Sequence, residues 1–195
     1  VAKEFIRPES ERLQKQIDDP ATSHQQRVKI GDRLTEIGDP RPGVGLREDG
    51  LPDIVWLKVP KGEITLEDDA GTFFTDTFYI AKYPVTYIQY RVFLETDDGY
   101  RNHDWWKGLA ERKDMPDDQY RQRDNHPAEN VSWYDAVAYC RWLSKRLGYW
   151  IQLPTEWQWQ QAATGGDKAK KYPWGNDWCS ESCNSINNGL SRTTA

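Results

Sequence analysis

Two thiols four residues apart, Cys179 and Cys183 in the run Trp178-Cys179-Ser180-Glu181-Ser182-Cys183-Asn184, are the first groups in this chain with the means to do chemistry. A pair of thiolates suits Cu(I), a soft ion that accepts two sulfur ligands. With no neighbouring histidine the spacing has little specificity as a metal motif, and the preferred reading is two plain thiols or a local disulfide. A structural zinc site would need two further ligands, and His24, His103 and His126 are remote from the pair in sequence. Cys140 falls on the apolar side of a helical pattern and reads as core. The second candidate is Asp104-Trp105-Trp106-Lys107. Adjacent exposed tryptophans at Trp105 and Trp106 could grip a peptide or a sugar, but a lid over the core is preferred. No paired catalytic carboxylates, nucleophile with base, or phosphate loop is visible.

These groups need a frame. From Glu9 to Asp18 and from Ser23 to Ile37 the pattern predicts two short helices broken by Asp19-Pro20, the second stopped by Gly38. Asp39 to Asp53 is rich in Pro, Gly and charge and reads as a connector, with a boundary near residue 50. Ile54 to Val59 and Gly62 to Leu66 are predicted to pair around a Pro60-Lys61-Gly62 turn, with Phe73 to Lys82 as a third strand. Three helix starts then share one device: Thr86 with Gln89, Ser132 with Asp135 and Thr155 with Gln158 each set a hydroxyl cap three residues before a side chain that can reach back to it. The Asp version is expected to be the weaker. The Ser132 helix shows an apolar face of Val137, Cys140, Leu143 and Leu147 and closes at Gly148. Tyr149 to Leu153 reads as a short strand or extended link, and the Thr155 helix ends at Gly165-Gly166. From Gly165 to Ala195 no periodicity is present, and such a stretch usually signals function, metal binding or a missing partner.

Composition narrows the classes. The 195 residues hold 10 Trp, 10 Tyr and 5 Phe in a chain only 37% hydrophobic, so the core must be built from rings with polar edges. That suits an irregular, loop-rich α+β fold. The net charge of −5, with both signs interspersed, argues against nucleic acid. No apolar run reaches membrane-spanning length. An odd cysteine count favours a reducing compartment, so a cytoplasmic location is expected. The chain starts at Val1 and ends in a polar run, and reads as a piece of a longer polypeptide.

Four ordered motifs carry a resemblance: Lys82-Tyr83-Pro84-Val85-Thr86; His126-Pro127-Ala128-Glu129-Asn130-Val131-Ser132-Trp133-Tyr134-Asp135-Ala136; Leu153-Pro154-Thr155-Glu156-Trp157; and Tyr172-Pro173-Trp174-Gly175-Asn176. Together they resemble the successive signatures of the formylglycine-generating-enzyme (sulfatase-modifying factor) family over residues 53–195. The resemblance implies an irregular α+β fold related to C-type lectins, here preceded by a short helical segment: residues 1–50 as preamble and linker, 51–195 as a C-terminally incomplete family-type domain. Active members oxidise a sulfatase cysteine to formylglycine with oxygen and copper, held by two cysteines that would lie beyond Ala195. Cys179 and Cys183 sit upstream of that position. Asn184 and Ser185, followed by Asn187 and Asn188, resemble half of a calcium site in family members; the other reading is an Asn-rich turn.

Three expectations follow. The first is a non-catalytic domain that recognises a ligand or protein, part of a larger bacterial signalling, defence or retroelement-diversified protein, with a protein or peptide ligand or neighbouring domains as partners and calcium as the associated ion. The second is a copper-dependent formylglycine-generating oxidase whose catalytic cysteines follow this chain. The third is a processing product, with Thr193-Thr194-Ala195 as an exposed, protease-sensitive tip.

Overall fold

The computed structural model describes residues 7–66, 70–167, 170–190 and 192–195. Two helices open it. Helix α1, Glu9–Ile17, follows Pro8 and carries Glu9 and Glu11 in its first turn and Lys15 in its last, each sign at the helix end that favours it. Helix α2, His24–Ile37, starts from a reciprocal cap between Ser23 and Gln26 and buries Val28, Ile30, Gly31 and Leu34.

Four strands follow: β1 Trp56–Val59, β2 Gly62–Thr65, β3 Thr72–Thr75 and β4 Phe78–Ala81. Here the structure corrects the sequence reading, because β1 and β2 do not pair with each other. β1 pairs antiparallel with β4 and β2 with β3. Val59 faces Phe78 and Gly62 faces Thr75, so both ladders share one register and form a single long hairpin interrupted midway. The interruption has a local cause. Pro60 has no N–H to give to a ladder, and the Lys61 N–H bonds the Thr77 hydroxyl at 3.3 Å instead of a main-chain carbonyl. The expected third strand, Phe73 to Lys82, is thereby split at Asp76-Thr77. The pairing of β2 with β3 extends to Leu66, whose N–H donates to Gly71 O at 2.9 Å, and Gly71 takes φ +114°.

Helices α3 (Tyr87–Glu95), α4 (Trp133–Leu147) and α5 (Glu156–Thr164) begin where their caps predict. The Asp cap at the start of α4 does two jobs. Asp135 accepts from the Ser132 N–H at 2.9 Å, and its other oxygen accepts from the Tyr100 hydroxyl at 2.9 Å. The short Asp side chain therefore ties the helix start to the core. That core is Tyr90, Phe93, Tyr100, Trp106, Ala138, Tyr139, Trp142 and Leu143. On α4 the buried side is centred on Tyr139 and Trp142 rather than on Val137 and Leu147, which are half-buried. The rings carry more apolar area per residue and take the centre.

The opening helices dock on the rest. Asn125 Nδ2 donates to Gly31 O at 3.1 Å and to Asp39 Oδ2 at 2.8 Å. Asp32 pairs with Arg123 at 2.6 Å and with Arg192 at 2.8 Å. Residues 192–195 are half-buried rather than an exposed tip: Thr193 Oγ1 donates to Glu129 at 2.6 Å, and a Cβ on Gly31 would stand 3.0 Å from the Ala195 Cβ.

His126 sits under this hub with no solvent exposure, its Nε2 3.5 Å from Asp32. Burial pushes its imidazole below the ordinary value of 6.5; Asp32 opposes that shift, while Arg123 and Arg192 reinforce it. The folded protein therefore refuses a proton that the unfolded chain accepts, and stability falls as pH drops below 6.5. Asp32 adds a second loss at lower pH, because Arg192 and Arg123 outweigh its burial and hold it below its ordinary 3.8. Urea midpoints at about pH 7 and about pH 5.5 test this. The wild type is expected to lose more of its midpoint on acidification than His126→Gln, and equal losses would contradict the assignment.

Candidate recognition cleft

Between β4 and the link that joins α4 to α5 lies an open cleft of about 880 Å³. One wall is Phe78 to Val85, the opposite wall is Tyr149 to Pro154, the floor is Tyr139, Cys140 and Leu143, and the end is closed by Gln158, Trp159, Ala162 and Ala163. Its volume lies within the range of small-molecule and peptide pockets, roughly 300–1,000 Å³.

Each wall is held locally. Gly148 at φ +77° ends α4 and turns the chain away. Ser144 then fixes the link: its Oγ accepts from Ile151 N at 2.8 Å and lies 3.1 Å from Ile151 O. Trp56 Nε1 donates to the Tyr149 hydroxyl at 2.9 Å, with the two rings edge to face at 6.2 Å, joining β1 to the link. Trp150 Nε1 donates to Gln152 Oε1 at 2.9 Å, yet the Trp150 ring is 79% exposed, and Trp159 is 65% exposed. Two large indoles thus stand open at the rim, where a partner would bury roughly 150–250 Å² on each.

Electrostatically the cleft is quiet. Its lining has no Asp, Glu, His, Ser or Thr, and one charge, Lys82, whose ammonium lies 5.0 Å from the Tyr83 ring centroid. Burial pushes the Cys140 thiol up to about 11, so it is protonated and unreactive at neutral pH. Such a lining can hold an apolar group and orient it. It offers no general acid–base pair and no activated nucleophile.

The residues singled out in the sequence lie elsewhere. Trp106 is 5% exposed within the core, its Nε1 donating to Tyr100 O at 3.1 Å. Trp105 packs against that core and donates to Asp98 O at 2.5 Å. Both indoles are committed to the fold, as a lid. Among the described residues there is no disulfide, and Cys179 and Cys183 flank a one-turn 3-10 helix, Ser180–Ser182. The Ser182 hydroxyl, with the Glu181 N–H, holds the exposed Cys179 thiol below its ordinary value, which raises its reactivity. Asn184 Nδ2 donates to Arg192 O at 2.7 Å and faces Thr194 Oγ1 at 3.4 Å, while Ser185 Oγ is buried with no hydrogen-bond partner. These give calcium two neutral oxygens. The described residues contain no cluster of three or more His, Cys, Asp or Glu suited to a metal. Asn184 and Ser185 therefore do not by themselves fit Ca²⁺, whose affinity rests on the number of charged oxygen ligands.

Sequence reasoning missed the cleft. A signal was there in Tyr149-Trp150-Ile151, a bulky apolar run directly after a helix-stopping glycine, but its opposite wall is some seventy positions earlier.

Residues 48–194 match the Sulfatase-modifying factor enzyme 1-like domain. The chain belongs to that formylglycine-generating-enzyme family. Formylglycine-generating enzyme of Mus musculus is 45% identical over 76 residues, 37% of this chain and 19% of that protein. Inactive C-alpha-formylglycine-generating enzyme 2 of Bos taurus is 41% identical over 76 residues, 37% of this chain and 23% of that protein. Hercynine oxygenase of Mycolicibacterium thermoresistibile is 28% identical over 163 residues, 69% of this chain and 34% of that protein. The chain thus spans between 19% and 34% of the length of these relatives. The α+β mixture of capped helices and small antiparallel ladders agrees with the class expected from sequence. No helix among the described residues is long and apolar enough to cross a membrane.

Proposed function

We propose that this family domain recognises a protein or peptide ligand without catalysing a reaction on it, as a cytoplasmic module of a larger bacterial signalling, defence or retroelement-diversified protein. Its scaffold is of the C-type-lectin-like kind, with loops and links displayed on capped helices. The observation that carries this reading is the cleft: apolar, aromatic-rimmed, with one cation and no acid–base pair in its lining. Relatives bearing this domain include a protein named inactive, so the fold is compatible with a role other than turnover.

Titration with anilinonaphthalene sulfonate, an apolar dye whose sulfonate suits Lys82, tests the cleft. One molecule per chain is expected to bind. Ala162→Trp fills the closed end and is expected to weaken binding by about tenfold, equivalent to about 1.4 kcal/mol, with the thermal midpoint little changed. Unchanged dye affinity in that variant would remove the cleft as the binding site.

A second reading has its own support. Stretches 45% and 42% identical to formylglycine-generating enzymes favour a copper-dependent oxidase that acts on sulfatase cysteines, with its catalytic cysteines outside these 195 residues. In that reading bound copper and oxygen supply the oxidation. The full-length protein, given Cu(I), oxygen and a sulfatase-type cysteine peptide, is expected under our preferred reading to yield no aldehyde reactive to hydrazide. Aldehyde formed over many turnovers would replace recognition with catalysis.

A further inference from the structure

The opening helices are attached to the rest of the chain through a single joint. Helices α1 and α2 pack on each other, and Arg33 links them through Glu9 at 2.8 Å. The buried ring core contains no residue of either helix, and the family match begins only at residue 48. The connector beyond residue 43 belongs with the domain, because Gln89 holds Gly43, Gly45 and Asp53 and the Thr86 hydroxyl donates to Val44 O at 2.8 Å. Between helices and connector stands Gly38 at φ +92°, with open space where a Cβ would be.

A polar hub around His126 holds the joint shut. Asp32 of α2 is gripped by Arg123 at 2.6 Å and by Arg192 at 2.8 Å, and Asn125 bonds Gly31 and Thr35. His126 lies beneath them with no solvent exposure, and its ring nitrogens lack a full hydrogen bond, Nε2 standing 3.5 Å from Asp32. The other charges around the hub are already paired: Asp39 with Arg41 at 2.6 Å, Asp124 with Arg91 at 3.4 Å and Glu129 with Arg121 at 3.3 Å. A proton on His126 therefore makes a third cation around one carboxylate that two guanidiniums already satisfy, in a place shielded from water. Burying such a charge is costly, and moving α2 away removes the cost by letting water reach the ring. Burial, with Arg123 and Arg192 acting against Asp32, accordingly holds the docked imidazole below 6.5. Against its own burial, Asp32 is held below 3.8 by Arg192 and Arg123, so it stays charged while His126 titrates.

We propose that α1 and α2 form an acid-released arm: protonation of His126 favours a state in which the arm has swung away at Gly38 while the ring core and the connector beyond residue 43 stay folded. The position of the arm then responds to pH between about 7 and about 5.5, the window in which histidine alone among ordinary side chains changes charge. An imidazole that titrates at 6.5 in the released state and stays neutral in the docked one raises the released population about eightfold across that window.

Hydrogen exchange of the full-length protein, read by mass spectrometry at about pH 7 and about pH 5.5 and expressed as protection relative to the unstructured rate at each pH, tests this. Amides of α2 are expected to lose about eightfold in protection on acidification and those of α4 less than about twofold. In His126→Gln the loss in α2 is expected to fall below about twofold. His24, at the start of α2, is kept in that variant, so a response of its making would persist there. Equal losses in α2 and α4 of the wild type would overturn the proposal, because the opening would then be global rather than at the joint; this comparison needs no variant. Unchanged protection in α2, or an undiminished loss in His126→Gln, would overturn it as well.

Discussion

Trp142→Ala is expected to lower the unfolding free energy by about 3–5 kcal/mol, the usual cost of truncating a fully buried indole, while Trp142→Phe costs about 1 kcal/mol or less. Trp142 has no solvent exposure and packs against Phe93 at 5.5 Å and Tyr139 at 5.8 Å between ring centroids. The alanine variant leaves a cavity at the point where α3 and α4 meet. The phenylalanine variant is milder for a specific reason: the Trp142 Nε1 is buried without a hydrogen-bond partner. An unmet buried donor costs roughly 1–3 kcal/mol, so its removal offsets much of the lost ring volume. Domains of this size are stable by roughly 5–15 kcal/mol, so Trp142→Ala approaches the threshold for unfolding. Urea midpoints of the two variants decide the matter. If Phe proved as damaging as Ala, the indole N–H would have a partner and the core account would need revision.

Gln89→Met is expected to cost about 3 kcal/mol or more, although it preserves length and sits on a helix. Gln89 has no solvent exposure. Its Oε1 accepts from Thr86 N at 3.0 Å, and its Nε2 donates to Gly43 O at 3.2 Å, Gly45 O at 3.1 Å and Asp53 O at 2.6 Å. One amide thus caps α3 and holds the connector against the domain. Methionine leaves the Thr86 N–H and the Gly43 and Asp53 carbonyls without this partner, each at roughly 1–3 kcal/mol when buried, while Gly45 O keeps the Asp53 N–H at 3.1 Å. Limited proteolysis is expected to cut the variant between residues 43 and 53. Gln89→Glu adds a check on sign: a carboxylate among carbonyls prefers to be protonated, so its penalty relative to wild type is expected to shrink as pH falls toward about 4.3. A Met variant as stable and protease-resistant as wild type would mean that the connector is held by other contacts.

Much of this frame was legible in the sequence because it is local. A hydroxyl cap with its reciprocal partner three residues on needs one turn of chain, and Ser132, Thr155 and Thr86 all start helices where expected. The family resemblance was legible too, since its motifs are short and ordered. Strand pairing was harder. Pro60-Lys61-Gly62 looks like a turn, but the same lack of an N–H that suits proline to turns also suits it to a break in a longer ladder. The number of ring residues was plain, yet which rings face inward was less so: Trp105 and Trp106, for which a lid was the preferred reading, pack on and in the core, while Trp150 and Trp159, which no pattern singled out, stand open at the rim. Burial of a ring depends on segments far along the chain, and the cleft exists only once the link after α4 and the edge of β4 are brought together.

The central claim is that this cleft binds a ligand. It is tested most directly by following the indole N–H resonances of the ten tryptophans during titration with anilinonaphthalene sulfonate. Trp56, Trp150 and Trp159, which line the cleft, are expected to shift together and saturate with one affinity, while Trp106 and Trp142 in the core stay fixed. Shifts centred on Trp174 and Trp178, or none at all, would contradict it.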